Sequence, residues 1–260
     1  MSKSLSDGAY DAPMQRWQAA QSFETHTEQE TIMTFPAKAL INPDDTVFLF
    51  IDHQPQMSFG VVNIDRQQLK NNTIALAKTA KLFGAPTILT AVETESFSGY
   101  IWPELMDVLK QDPIERTSMN SWDSEELVAA VKATGKKKLV IAALWTEACL
   151  LFPTLCAIEE GFEVYIVTDA SGGTSQEAHD AAVRRMEQAG AHSITSVNVL
   201  LELQRDWAKR GTYDGVMNIV REHFGAYGMG VDYAYTLVHK APQRGEYAHK
   251  VTGAAAHEHA

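Results

Sequence analysis

The chain has 260 residues, 45% apolar and 21% charged, enough to bury one full core in a single domain with or without extensions. Its formal charge of −11 argues against a nucleic-acid partner, which needs a basic face, and against docking on an anionic membrane. No segment reaches the ~18 consecutive apolar residues of a membrane span. The N-terminal stretch lacks the apolar run of a secretory signal, so a cytoplasmic protein with reduced thiols is expected.

Residues 1 to 40 are polar without a sustained period and read as an N-terminal arm. After the turn signal "NPDD", "TVFLFID" is a short apolar run suited to a buried parallel strand. "RQQLKNNTIALAKTAKLFG" has helical spacing and a glycine stop at Gly84. "PTILTAV" reads as a second strand and "IERTS" as a short third one. "DSEELVAAVKATG" then reads as a helix capped by Asp123.

From there strand and helix alternate: "KKLVIAAL", "TEACLLFPTLCAIEEG", "EVYIVTDA", "SQEAHDAAVRRMEQAG", "HSITS" and "VNVLLELQRDWAKR". Such alternation means βαβ units and a parallel sheet covered on both faces. The expected fold is α/β, a three-layer, Rossmann-like α/β/α domain over 41–210 with a six-stranded parallel sheet in the order 3-2-1-4-5-6. The segment 211–260, rich in aromatics and glycine, reads as a C-terminal extension suited to packing on a neighbouring subunit.

Ligands of an open α/β sheet bind beyond the carboxyl ends of the strands, where strand order reverses. In this order strands 1 and 4 are neighbours there. Asp52, ending the first, and Cys149, following the fourth, are therefore brought together by topology alone. Thr146 fits an N-cap, which would set Cys149 among unpaired backbone N–H groups that favour a thiolate and could hold an oxyanion. Asp52 then suits a base that takes the thiol proton. A carboxylate beside a thiolate needs a cation, and Arg116 is the candidate. Pro153 removes a helical hydrogen bond and predicts a kink one turn into this helix.

Bland alternatives stand beside each residue. A lone cysteine in an apolar helix is ordinarily a small buried hydrophobe, and Cys156 reads so. Seven apart on one helix, the two cysteines are ~10 Å from each other, too far for a disulfide. Trp122 and Trp145 suit the core or, with Phe97, an aromatic substrate pocket. His53 and His179 have no metal-ligand spacing, so no metal is expected. "TDASGGTS" lacks the lysine and glycine spacing of a phosphate loop and reads as a βα turn.

"FLFIDHQ", "AAVKATGKKKL" and "LVIAALWTEACLLFPTLCAIEEGFEVYIVTDASGG" together resemble the isochorismatase-like cysteine hydrolases, over roughly residues 40 to 208. The resemblance implies a nucleophile at Cys149, a base at Asp52 and a cis peptide at Leu144–Trp145. The N–H groups of Trp145 and Cys149 would then form the oxyanion hole. Members typically carry a lysine where Arg116 stands. A permanently charged guanidinium keeps the electrostatic role but is a poor proton donor. The resemblance implies that the nicotinamidases of the family bind a metal through an Asp/His cluster beyond strand 2. "VETESFSGYIWPEL" has no histidine, which speaks against both that metal and nicotinamide.

The expected activity is hydrolysis of a small-molecule amide, imide or related C–N bond through a thioester, with no cofactor. The alternatives are vinyl-ether hydrolysis of the isochorismatase type and a catalytically weak oligomeric scaffold. Since family members commonly assemble as dimers, tetramers or octamers, a homo-oligomer, tetramer or octamer, is expected.

Overall fold

The structure, a computed structural model, describes residues 40–238. The arm and the residues after Val238 lie outside this range. Six strands, β1 (Thr46–Ile51), β2 (Thr87–Val92), β3 (Ile114–Arg116), β4 (Lys138–Ala143), β5 (Glu163–Val167) and β6 (His192–Ile194), form one sheet. All pairings are parallel and the order is β3-β2-β1-β4-β5-β6, as the alternation of elements led us to expect.

The central strands are buried on both faces, which explains their unbroken apolar runs. Phe48, Phe50, Val140, Ala142 and Val167 point to one side, where they meet α2 (Arg66–Leu82), α3 (Pro103–Leu109) and α7 (Ser196–Gln204). Val47, Leu49, Ile51, Leu139, Ile141, Val164 and Ile166 point to the other. There they meet α4 (Glu125–Ala133), α5 (Leu151–Glu159) and α6 (Gln176–Gln188). A short helix, α1 (Pro55–Phe59), follows β1 directly and opens on Pro55, whose missing N–H is no loss at a first helical position.

Two local expectations need correction. The cap of α4 is Ser124, whose side chain accepts from Leu127 N–H; Asp123 instead closes a 3-10 turn and bonds Ser118 and Asn120. The last helix of the domain stops at Gln204 and does not run on to Arg210, because Arg205 takes a left-handed backbone (φ 56°).

The described part of the extension is helical. Helix α8 (Arg210–His223) lays Val216, Met217, Ile219 and Val220 against Ala75 of α2 and Leu200 of α7. Asn71 fastens its end, donating to His223 O at 2.7 Å while its own Oδ1 pairs with His223 Nδ1 at 2.8 Å. Helix α9 (Gly225–Tyr233) turns back on α8 at Gly228, where a Cβ would come within 2.7 Å of Val220 O. This part of the extension thus packs on its own chain's core, while Met229, Tyr233, Leu237 and Val238 remain exposed.

Candidate active site

The carboxyl ends of β1, β4 and β3 carry the three residues singled out above. Ile51 pairs with Ala143 across the first two strands, and Leu144 N–H donates to Ile51 O at 3.1 Å. Asp52 therefore leaves β1 level with the start of the Cys149 loop. Its backbone is left-handed (φ 59°), a conformation that Asp and Asn tolerate better than most residues, and this turns the chain sharply off the sheet. Arg116, the last residue of β3, pairs with Val92 and reaches back over the end of β2. Its Nη2 donates to Asp52 Oδ2 at 2.6 Å, and the two side chains are 4% and 0% exposed.

Cys149 lies in a π-helical turn, Thr146–Leu150, that precedes α5. The N–H groups of Ala148 and Leu150 both turn back to Trp145 O, which makes the turn wide. Pro153 sits in the first turn of α5, where its missing N–H costs no hydrogen bond within that helix, and the π turn ends just before it. The Leu144–Trp145 peptide bond is cis. Thr146 does not cap the turn; its Oγ1 pairs with His179 Nδ1 at 2.8 Å, and Trp145 occupies the cap position.

The thiol of Cys149, 4% exposed, is directed at Asp52, loosely enough that Asp52 Oδ1 has no partner of standard geometry among the described residues. Burial pushes the thiol far up from its ordinary pKa, and the Asp52 charge adds to the effect. Arg116 and a hydrogen bond from the Trp145 backbone pull it down by less. This reverses the expectation of a helix-lowered thiol: desolvation outweighs the few N–H dipoles of one turn. Asp52 is raised to about 7, by burial first, against the opposing pull of Arg116. At rest the site is a neutral thiol beside a carboxylate that titrates near neutrality.

The expected aromatic pocket does not form as such. Trp122 is buried under α5, edge-on to the Phe162 ring, with its indole donating to Glu160 Oε1 at 2.9 Å. It belongs to the core because Asn120 caps the 3-10 turn that carries it. Phe97 is 57% exposed on a second π turn, Thr94–Ser98, after β2. Trp145 packs over Gly60, where a Cβ would lie 2.7 Å from its ring, and donates to Met57 O at 2.7 Å. Cys156 is half-buried and accepts a 3.6 Å contact from Asn120 Nδ2.

Several residues that brace the site drew no role from the sequence. Gln54 ties β1 to β2 in both directions, accepting from Val92 N–H and donating to Val92 O and Gly99 O. His53 is buried and donates from Nε2 to Ala170 O at 3.2 Å; burial brings its pKa down to about 4, so it stays neutral. Both lie inside the quoted "IDHQ", the only local signal they gave. The "TDASGG" turn pairs with the loop that leads to Cys149 through the Leu144–Gly172 bridge. Gly172 O accepts from Thr146 N–H, and a Cβ on Gly172 would meet Val61 at 2.7 Å. Asp169 receives both the N–H and the hydroxyl of Ser196. Among the described residues, no group of three or more His, Cys, Asp or Glu side chains is placed to hold one metal ion.

Comparison with known proteins agrees with this architecture. The family model of the isochorismatase domain matches residues 46–197, which run from β1 into α7. The chain belongs to the isochorismatase family of hydrolases. Within the family it is 42% identical over 189 residues to the probable hydrolase YcaC of Escherichia coli K12, covering 72% of this chain and 90% of that one. The crystal structure of the E. coli ycaC gene product, described as an octameric hydrolase of unknown specificity, is 40% identical with a TM-score of 0.72. That match covers 76% of this chain and 97% of the other. YcaC from Pseudomonas aeruginosa, solved with hexane-2,5-diol and covalent acrylamide, is 41% identical with a TM-score of 0.70, over 74% and 95% of the two chains. Helices α8 and α9 lie beyond the segment that the family model matches.

Proposed function

We propose that this family hydrolase is cysteine-dependent and cleaves a small-molecule amide, imide or related C–N bond through a thioester on Cys149. The observation that carries the reading is the buried Asp52–Arg116 pair with the Cys149 thiol directed at its carboxylate. Asp52, ionised above about 7, takes the thiol proton as sulfur attacks the substrate carbonyl. Arg116 keeps positive charge beside the pair throughout, as a guanidinium cannot give up its proton here. The backbone N–H groups of Trp145 and Cys149 hold the oxyanion of the tetrahedral intermediate.

As the C–N bond breaks, protonated Asp52 returns its proton to the leaving nitrogen. Water then adds to the thioester with Asp52 again as base. Collapse expels the Cys149 sulfur, which recovers a proton from Asp52, and frees the acid. Of the three aromatics, Phe97, exposed on the turn after β2, and Trp145, at the start of the Cys149 turn, remain candidates for substrate contact. Quenched turnover followed by intact-protein mass spectrometry tests the reading. An acyl adduct is expected on the native chain and none on Cys149→Ala.

One observation favours a second reading. A thiol held neutral by burial also suits vinyl-ether hydrolysis of the isochorismatase type, which needs no covalent intermediate. A Cys149→Ala protein that keeps its turnover would establish it.

We also propose a homo-oligomer. The octamer of the E. coli relative and the exposed apolar residues of α9 and the turn after it support this. Light scattering on the full chain gives the number of subunits.

A further inference from the structure

We infer that His179 is a positioning residue for the proposed chemistry. Through the Thr146 hydroxyl it holds the turn of Cys149, so that the thiol faces Asp52 and the N–H groups of Trp145 and Cys149 face the reacting carbonyl. The inference deepens the cysteine-hydrolase reading above and rests on it.

The turn Thr146–Leu150 does little to fix its own orientation. Trp145, at its cap position, supplies no side-chain hydrogen bond, and the N–H groups of Ala148 and Leu150 share one acceptor, Trp145 O. Three polar contacts among the described residues tie the turn to residues 172–179. Gly172 O accepts from Thr146 N–H at 2.9 Å. Glu147 Oε1 accepts the N–H and the hydroxyl of Thr174, at 2.9 and 2.5 Å. Thr146 Oγ1 pairs with His179 Nδ1 at 2.8 Å. A hydroxyl donates as readily as it accepts, so either tautomer of the ring serves.

These contacts are unequal. The one at Thr146 N–H leaves the turn free to rotate about it. Thr174 is exposed, so water competes for Glu147. Thr146 is 0% exposed and His179 8%, and low local dielectric makes a buried pair strong and its loss costly. His179 is itself anchored on α6: its N–H donates to Ser175 O at 3.1 Å, and Ser175 caps the helix by accepting from Ala178 N–H at 3.0 Å. Gly173 leaves no slack between helix and turn, since a Cβ there would lie 2.8 Å from Glu147 Oε2 and 3.1 Å from His179 Cβ. Thr146 follows Trp145 and precedes Cys149, so a shift of its side chain carries both proposed oxyanion donors and the thiol together. A misplacement of about 1 Å can cost about 10²-fold in rate.

The test replaces one ring nitrogen at a time. Asparagine sets its amide where Nδ1 lies and glutamine where Nε2 lies, so His179→Asn keeps a partner for Thr146 and His179→Gln loses it. Likewise Thr146→Ser keeps a hydroxyl and Thr146→Val removes it. On any amide or imide that the native chain hydrolyses, His179→Ala, His179→Gln and Thr146→Val are expected to lose about 10- to 100-fold in kcat per folded molecule, with KM within about threefold. His179→Asn and Thr146→Ser should stay within about threefold of native, and combining His179→Ala with Thr146→Val should be no worse than either alone. A packing role would favour the larger Gln over Asn and leave kcat per folded molecule intact. His179→Gln equal to His179→Asn, full kcat in folded Thr146→Val, or additive losses overturns the inference. The threonine pair decides the matter if the histidine variants misfold. Alkylation of Cys149 by iodoacetamide needs no substrate and is followed across pH in the same proteins. In His179→Ala and Thr146→Val its profile should move from the native rise near pH 7 toward that of Cys156, and in His179→Asn it should not. If the native chain hydrolyses no amide or imide while this change of profile stands, the hydrolase reading fails alone. If amides are hydrolysed and neither kcat nor the profile separates Asn from Gln, only the inference fails.

Discussion

Arg116 Nη2 lies 2.6 Å from Asp52 Oδ2, and neither side chain has meaningful contact with solvent. The pair joins the edge strand β3 to the central strand β1 and lies directly against the only buried thiol among the described residues. It therefore has two separable consequences, one for stability and one for chemistry.

Removing one partner should be costly to the fold. Arg116→Leu leaves Asp52 buried without its cation, and the loss of a buried partner typically costs about 3–5 kcal/mol. Urea denaturation of the variant at pH 8 is expected to show a loss of up to that order, partly relieved because Asp52, without the opposing pull of Arg116, keeps its proton to higher pH. The raised pKa of about 7 means that the folded state binds the proton more tightly than the unfolded chain does. The Asp52 contribution to stability therefore declines as pH rises from the ordinary carboxylate range through about 7.

Catalysis should follow the same carboxylate in the opposite sense. Below about 7 Asp52 is protonated and cannot accept the thiol proton, so kcat/KM of the free enzyme should fall on the acid side with an apparent pKa near 7. Asp52→Asn should lower kcat by roughly 10²–10⁴ and abolish that limb. A pH–rate profile on any hydrolysed amide checks both.

Trp122 should matter for folding and not for turnover. Its indole packs edge-on to Phe162 and bonds Glu160 at the C-terminal end of α5, the opposite end of that helix from the turn that carries Cys149. Trp122→Ala is expected to cost about 3–5 kcal/mol in unfolding free energy, with kcat per folded molecule unchanged. A loss of kcat without loss of stability would return Trp122 to the pocket.

Gly60 offers the opposite case. A methyl group there would come 2.7 Å from the Trp145 ring. Gly60→Ala should displace the indole from Met57 O, with a stability cost of about 1–3 kcal/mol. Turnover should also fall, because Trp145 carries one of the candidate oxyanion donors. Thermal unfolding and kcat measured together separate the two effects.

What could be read from sequence followed from burial and topology. The runs "TVFLF" and "KKLVIAAL" gave the two central strands because a strand covered on both faces tolerates no polar interruption. Strand order then set Asp52 beside Cys149 without any local motif. What failed was what depends on distant partners. Helix α8 contains two glycines and a threonine and is held by packing on α2 and α7, so its own propensity says little. Ser124 outcompeted Asp123 as a cap because Asp123 is engaged by Asn120 and Ser118. The direction of the Cys149 shift is not legible in the sequence, because a helix terminus shows only local dipoles, whereas burial of the thiol decides the direction.

The central claim is that Cys149 is a nucleophile set to work by Asp52. Its most direct test is the rate of alkylation by iodoacetamide across pH, resolved by peptide mass spectrometry, in the native chain and in Asp52→Asn. Cys156 is the internal control. The account predicts that Cys149 alkylation in the native chain rises as Asp52 ionises near pH 7, as the carboxylate takes the proton during attack. In Asp52→Asn it should drop at least about tenfold, within the range of general-base contributions, while Cys156 is unchanged. Equal rates for Cys149 in the two proteins, matching those of Cys156, would contradict the account and leave Cys149 as a buried core residue.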